Sequence, residues 1–373
     1  MNRRIFGVLV LILVLILAAC GGAESTTASP PTVEPTTPVD TSSDTVQTID
    51  VGQGFGAAKG FWQVYFNAPT GSSDPSTYTN GIDENLAAAI NNAQRTLDIA
   101  AFEFNNPVIT EAVLNAHERG VVVRMVTDNE HGLEDDDSTI GELIDAGIPV
   151  VDDDRSGLMH NKFMIIDGTV VWTGSWNYTI NGTYRNNNNA IVLRSQRAVQ
   201  AYQAEFDEMF TGKEFGKTST SSTVKFTQDG VPIQILFASE DPVLDTLVEV
   251  LGGAQESIRM MAFVFTEDVL GDAVVERIGA GVDFAGIWDS RQATTRFSEM
   301  ERIACAGGDV RIDGNPFVLH HKVFIIDEQT VVTGSFNFSG NAAETNDENV
   351  VIITDPDIAA LYLAEFERRW AEA

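Results

Sequence analysis

The stretch His160-Asn161-Lys162-Phe163-Met164-Ile165-Ile166-Asp167, followed by Gly174-Ser175-Trp176-Asn177, is repeated later in the chain. It returns as His320-His321-Lys322-Val323-Phe324-Ile325-Ile326-Asp327 with Gly334-Ser335-Phe336-Asn337. Every spacing is kept, and His160 and His320 stand 160 residues apart. On a strand, His and Lys at i and i+2 point to one face. Phe163 and Ile165, with their counterparts, then pack behind it. An imidazole beside an ammonium suits a phosphate group: one attacks phosphorus or moves a proton, the other holds an anionic oxygen. Each Gly-Ser-x-Asn turn adds hydroxyl, amide and backbone donors for the remaining oxygens.

Outward from these motifs the repetition continues. Ala101-Phe102-Glu103-Phe104 is answered by Ala262-Phe263-Val264-Phe265, and Val126-Thr127-Asp128 by Ile287-Trp288-Asp289. Gln63 to Phe66 is answered by Ile233 to Phe237. The chain is therefore a tandem duplication. Within the first copy, strands are predicted over 62–66, 96–104 and 121–127, and helices over 84–96, 107–119 and 138–146. Alternating strands and helices give an α/β fold. The closing segment Ile358 to Trp370 is an amphipathic helix expected to pack on the sheet. The halves are placed at 58–215 and 216–373, joined by a Gly/Lys/Ser/Thr-rich linker near 212–230.

The first residues are of a different kind. Arg3 and Arg4 precede an apolar run, Phe6 to Ala19, too short to span a bilayer comfortably. The run closes on Leu17-Ala18-Ala19-Cys20, which resembles a bacterial lipobox. That resemblance implies a signal peptide at 1–20, lipidation of Cys20, and an extracytoplasmic lipoprotein at the cell surface or in the periplasm. Residues 21–57, rich in Ser, Thr, Pro and Gly at their start, read as a tether. Cys305 would then be the sole remaining cysteine, so disulfides play no part; its apolar surroundings read as core packing. The formal charge is −31, becoming −33 without the first twenty residues, which hold two basic and no acidic side chains. Such acidity disfavours non-specific nucleic-acid binding. Glu134 to Asp137 and Asp152 to Asp154 lack the glycine of a calcium loop and read as solvated loops.

The paired motifs resemble the HKD motif of the phospholipase D superfamily, over about residues 58–373. The resemblance implies two α/β/α sandwich halves packed about a pseudo-two-fold, sharing one active site, with no cofactor or metal and no obligate protein partner. It implies that one of His160 and His320 attacks phosphorus while the other protonates the leaving alcohol and later activates water. Lys162, Lys322, Asn177 and Asn337 would hold the non-bridging oxygens. Asp167 and Asp327 would support the motif structurally, with Ser175 and Ser335 in the turns. Glu103 or Asn105 would approach the substrate from the following loop.

One difference breaks the symmetry. Glu348 stands 28 residues after His320, and the position 28 after His160 is Asn188. A carboxylate on the far ring nitrogen raises imidazole basicity and stabilises a cationic phosphohistidine. If Glu348 reaches across to the first half, His160 is the nucleophile and His320 the general acid and base; if pairing stays within each half, the roles swap. The cross-half assignment is favoured. The expected activity is hydrolysis of a phospholipid head group, of the phosphatidylcholine type, at a membrane reached through the lipid anchor. The alternatives are a metal-independent nuclease on extracellular nucleic acid, a phosphatidyl transferase of the cardiolipin synthase type, and an inactive surface binding module.

Overall fold

A computed structural model describes residues 43–218 and 223–373. The signal peptide and Cys20 lie outside the described residues, as does the tether up to residue 42. In the first half, β1 (Gln47–Ile49), β2 (Gly54–Lys59), β3 (Trp62–Asn67), β4 (Thr96–Ala101), β5 (Val122–Thr127), β6 (Val150–Asp152), β7 (Lys162–Ile166), β8 (Val170–Gly174) and β9 (Asn189–Leu193) form one sheet. Its order is β1-β2-β3-β9-β8-β7-β4-β5-β6. In the second half, β10 (Val224–Gln228), β11 (Val231–Ala238), β12 (Ser257–Ala262), β13 (Asp283–Trp288), β14 (Asp309–Ile312), β15 (Lys322–Ile326), β16 (Thr330–Gly334) and β17 (Glu348–Thr354) form the other. Its order, β10-β11-β17-β16-β15-β12-β13-β14, repeats the first from β2 onward. In both sheets the three strands at the far edge run parallel and the other neighbours pair antiparallel.

The alternation of β7 sets the layers. Met164 and Ile166 face a core shared with the helices Ile82–Asn91 and Pro107–Glu118. Phe163 and Ile165 face the opposite way, into a core shared with Val323 and Ile325 of β15. The helices Gln196–Asp207 and Pro356–Glu372 lie in that second core, so each half is a sheet between helical layers and the halves are joined through apolar side chains. Fully burying each of these four residues contributes about 1.5–3 kcal/mol.

Several boundaries differ from the sequence reading. The strand β1 lies within the span 21–57 read as tether and β2 begins in it, so the folded chain starts before residue 58. Gly54-Phe55-Gly56-Ala57-Ala58-Lys59 has no β-branched residue to mark it as a strand. It is held by its pairing with β3, from Gly54↔Asn67 to Lys59↔Trp62. Likewise β10 falls within the 212–230 linker and pairs with β11. Cys305 is exposed, not in the core, because the short helix Met300–Cys305 buries Ile303 and turns the cysteine outward. Asp153, read as part of a solvated loop, is buried and accepts the Asn129 N–H at 3.0 Å. Among the described residues no helix is long and apolar enough to cross a membrane.

Candidate active site

Each HxK segment is fastened to the opposite half. The His160 N–H donates to the Asp347 carbonyl at 3.0 Å, and the His320 N–H to the Asn187 carbonyl at 2.9 Å. Residues 347–348 and 187–188 are therefore delivered to the histidine of the other copy. Glu348 Oε2 lies 2.7 Å from His160 Nδ1, and Asn188 Oδ1 lies 2.9 Å from His320 Nδ1. Of the two pairings open at the level of sequence, the cross-half one is the geometry found.

The two serines of the Gly-Ser-x-Asn turns hold these partners in place. Ser335 Oγ donates to Glu348 Oε2 at 2.6 Å, and Ser175 Oγ donates to Asn188 Oδ1 at 2.8 Å. The preceding glycines are obligatory. Gly174 and Gly334 have φ of 142° and 138°, and a Cβ on either would collide with the carbonyl oxygen of Asn189 or Asn349. Those same carbonyls accept the Ser175 and Ser335 N–H groups at 3.1 and 3.0 Å. Arg155 of the first half ion-pairs with Asp347, steadying the segment that carries Glu348.

Lys162 and Lys322 are 1% exposed, and each ammonium donates to the carbonyl of the histidine two residues before it, at 2.7 and 3.0 Å. Each also lies over an aromatic ring, Lys162 over Phe102 at 4.8 Å and Lys322 over Phe263 at 5.2 Å. The same rings flank the histidines, with Phe102 4.6 Å from His160 and Phe263 5.1 Å from His320 between centroids. These phenylalanines directly follow β4 and β12. They form the walls beside the two histidines.

Asn177 and Asn337 occupy corresponding turns but different surroundings. Asn177 donates to Glu103 Oε2 at 2.7 Å, whereas the residue matching Glu103 in the second half is Val264. Glu103 thus bridges toward the Lys162 side of the site, while Asn105 accepts the Ile180 N–H at 2.9 Å and holds the loop. Asp167 and Asp327 stand apart from the histidines, at tight turns with φ of 54° and 51°. Each carboxylate accepts three successive backbone N–H groups, from Gln94 to Thr96 and from Gln255 to Ser257.

Burial dominates the electrostatics. It pushes both histidines well below their ordinary range, and the neighbouring Lys162 and Lys322 charges add to this. Burial also lowers Lys162 to about 8, opposed by Glu348 and Glu103, and it pushes Lys322 well below its ordinary value with the help of the Lys162 charge. Glu348 is raised to about 7 by burial, although Lys162 and the Ser335 and Asn346 hydrogen bonds pull it back. The ionised Glu348 fixes the His160 proton on Nδ1 and leaves the Nε2 lone pair for the cleft. The neutral Asn188 oxygen accepts from His320 Nδ1–H without adding a charge. The arrangement can supply one basic imidazole, one more weakly supported imidazole and two ammonium groups to a single phosphodiester.

One polar network was not foreseen. His321 and Asn161, the residues between the His and Lys of each motif, turn away from the site. Asn161 receives Asn349 Nδ2 at 2.8 Å and donates to Glu205 at 3.0 Å. His321 contacts Asn189 at 3.0 Å and Glu365 at 3.2 Å. Carboxylates on helices usually mark a solvated face, so no sequence signal separated Glu205 and Glu365 from the surface acids. His131 was missed as well; its ring packs on Phe102 at 4.9 Å.

Comparison with known proteins agrees with this geometry. The family described as "Cardiolipin synthase, PLD-like domain" matches twice, at residues 86–210 and 247–370. A mitochondrial cardiolipin hydrolase of Xenopus tropicalis is 41% identical over 138 residues, 37% of this chain and 65% of that protein. A phospholipase D of Rickettsia conorii is 37% identical over 118 residues, 32% of this chain and 59% of that protein. The chain thus spans somewhat less than two thirds of these relatives' lengths. The crystal structure of phosphatidylserine synthase from Haemophilus influenzae Rd KW20 shares the fold, with a TM-score of 0.60 and 13% identity, over 78% of this chain and 83% of that one. With the family pattern matched in both copies, and the His and Lys side chains of both copies within electrostatic reach of one another, the chain belongs to the phospholipase D-like family.

Proposed function

We propose that the protein is a phosphodiesterase that removes the head group of a phospholipid through a phosphohistidine intermediate. The observation that carries this reading is the unequal pairing of the two histidines, His160 with the Glu348 carboxylate and His320 with the Asn188 amide. His160 Nε2 attacks phosphorus while Lys162, Lys322, Asn177 and Asn337 take up charge on the non-bridging oxygens. The P–O bond to the head-group alcohol breaks, and the leaving oxygen takes the Nε2 proton of His320, which enters this step as an imidazolium favoured by the bound phosphodiester anion, its Nδ1–H still on Asn188. In the second step His320 removes a proton from water, the water oxygen bonds phosphorus, and the P–N bond to His160 breaks. The chemistry requires no metal, because the two ammonium groups do the electrostatic work.

The lipid reading is supported by the names of the relatives, cardiolipin hydrolase and phospholipase D, and by the charge of −31. The site's flank in the first half is also acidic, with Glu103, Asp135 and Asp137 lining a small cavity beside it. An acidic rim disfavours a polyanionic strand more than a single phosphodiester. Lipidation at Cys20 would hold the site within tether reach of a membrane and raise the effective substrate concentration.

The deciding experiment is a substrate screen in chelator with phosphatidylcholine, cardiolipin, and single- and double-stranded nucleic acid, with a second alcohol added to detect transfer. Release of a lipid head group with intact nucleic acid supports the proposal. Cleavage of nucleic acid alone selects the nuclease, and a dominant transfer product selects the synthase-type reaction. No turnover of any diester leaves a binding module. Labelled palmitate incorporation, lost in Cys20→Ala, tests the anchor.

A further inference from the structure

The two halves carry a loop at the same place in the sheet, and the two loops have opposite character. In each half it follows the middle strand of the parallel trio, β5 or β13, and an aspartate ties it to the motif. Asp128 accepts the His131 N–H at 2.8 Å and the N–H of Met159, next to His160, at 3.1 Å. Asp289 accepts the Arg291 N–H at 3.0 Å and the N–H of Leu319, next to His320, at 3.1 Å. Each loop is therefore fastened beside one of the two histidines. Residues 129–138 hold the acids Glu130 and Glu134 to Asp137 and no lysine or arginine. Residues 290–298 hold Arg291 and Arg296, both exposed, and no acid. This second loop also presents Phe297, at 67% the most exposed large apolar side chain among the described residues. The Arg296 guanidinium lies 5.1 Å from the centre of that ring. Ile312, also exposed, pairs with Trp288 at the end of β14 and lines a cavity with Arg296. Nearby carboxylates are engaged elsewhere: Glu299 and Asp272 both ion-pair with Arg302. Asp268 and Glu301 line a cavity with Phe297, so the positive charge is confined to the loop itself.

We propose that the loop 290–298 docks on the surface of an anionic phospholipid bilayer, with Phe297 in the head-group region and Arg291 and Arg296 on lipid phosphates. An exposed aromatic ring flanked by arginines matches both parts of such a surface, the apolar boundary and the negative charge above it. A nucleic-acid strand asks for a cationic track that continues past the loop, and the corresponding loop of the other half is acidic instead. The acidic loop 129–138 is repelled by the same surface and stays in water. The chain thus meets the membrane through its second half, beside His320. This docking rests on the phospholipid reading above and adds to it the charge of the bilayer and the side of the protein that faces it.

The test uses the full chain reconstituted in phosphatidylcholine vesicles with or without phosphatidylglycerol, their acyl chains brominated or plain. The indole of Phe297→Trp should be quenched by brominated chains when phosphatidylglycerol is present, and less so at high salt. Asp136→Trp, in the acidic loop, should not be quenched. Nor should the parent chain, in which Trp62, Trp172, Trp176 and Trp288 are buried. Arg291→Gln and Arg296→Gln should each slow turnover of vesicle lipid about fivefold at low salt and leave hydrolysis of bis(p-nitrophenyl) phosphate unchanged. The proposal is overturned if Phe297→Trp is not quenched, or if Asp136→Trp is quenched equally. Binding of a labelled single-stranded oligonucleotide that is lost in Arg296→Gln, with no quenching by vesicles, would assign the loop to nucleic acid and also overturn it. Quenching reads docking without turnover. Quenching with no lipid hydrolysis would sink the proposed phospholipase activity and leave the docking surface standing; hydrolysis without quenching would do the reverse.

Discussion

Replacing Glu348 by Gln keeps the shape of the site and removes one charge. The carboxylate is fully buried and 2.7 Å from His160 Nδ1. When His160 attacks phosphorus, its ring becomes cationic. With about 4 Å between charge centres and an effective dielectric constant of about 20, the Glu348 charge stabilises that cation by about 4 kcal/mol. At about 1.4 kcal/mol per decade, Glu348→Gln should lower kcat/KM by about 100- to 1,000-fold. Stability should change little, because the variant leaves a neutral imidazole rather than an orphaned charge on that side, and Ser335 can still donate to the amide oxygen. The assay is initial-rate hydrolysis of bis(p-nitrophenyl) phosphate in chelator, with Tm measured on the same preparations. A correctly folded Glu348→Gln protein with less than a threefold loss would refute the reasoning. A loss of similar size in Asn188→Ala would instead show that the two histidines are interchangeable.

Three other outcomes follow from the same geometry. The kcat/KM profile of the free enzyme should be bell-shaped. It should rise as Glu348 ionises near pH 7, which frees His160 Nε2, and fall on the alkaline side as the first of the two buried ammonium groups, Lys162 and Lys322, loses its proton. In Glu348→Gln the acid limb should vanish and the alkaline limb move lower, since Glu348 supports the Lys162 charge. Asp167→Asn and Asp327→Asn should each cost about 1–3 kcal/mol in urea unfolding with kcat within about threefold of the parent, because these carboxylates hold backbone N–H groups and touch no reacting atom. Phe163→Ala, in the core between the halves, should cost about 3–5 kcal/mol in the same assay.

The strand parity of the motifs was legible because it depends only on period two: Phe163 and Ile165 pack behind His160 and Lys162 whatever surrounds them. The duplication was legible from spacing alone, and with it the correspondence of Glu348 and Asn188. The direction in which Glu348 reaches was not, since a 28-residue spacing is the same for a contact within a half and one across it. That contact depends on the interdigitation of Asp347 with His160 and of Asn187 with His320, which is set by packing of the halves. The strand β2 escaped notice because its Gly- and Ala-rich sequence is held in place by β3 rather than by its own propensity. The Glu205 and Glu365 carboxylates looked like any acids on an amphipathic helix, and only the facing half makes them interior.

The central claim is that His160 carries the phosphoryl group. A diester labelled with 32P and bearing a p-nitrophenol leaving group needs little help from an acid in the first step. In His320→Ala it should therefore load the enzyme and stall, because no base remains to activate water. After a rapid alkaline quench, which preserves phosphohistidine, and proteolysis, label is expected on the peptide containing His160, and none when His160 is also replaced. Label on the His320 peptide of the converse variant, His160→Ala, with none on His160 in His320→Ala, would contradict it.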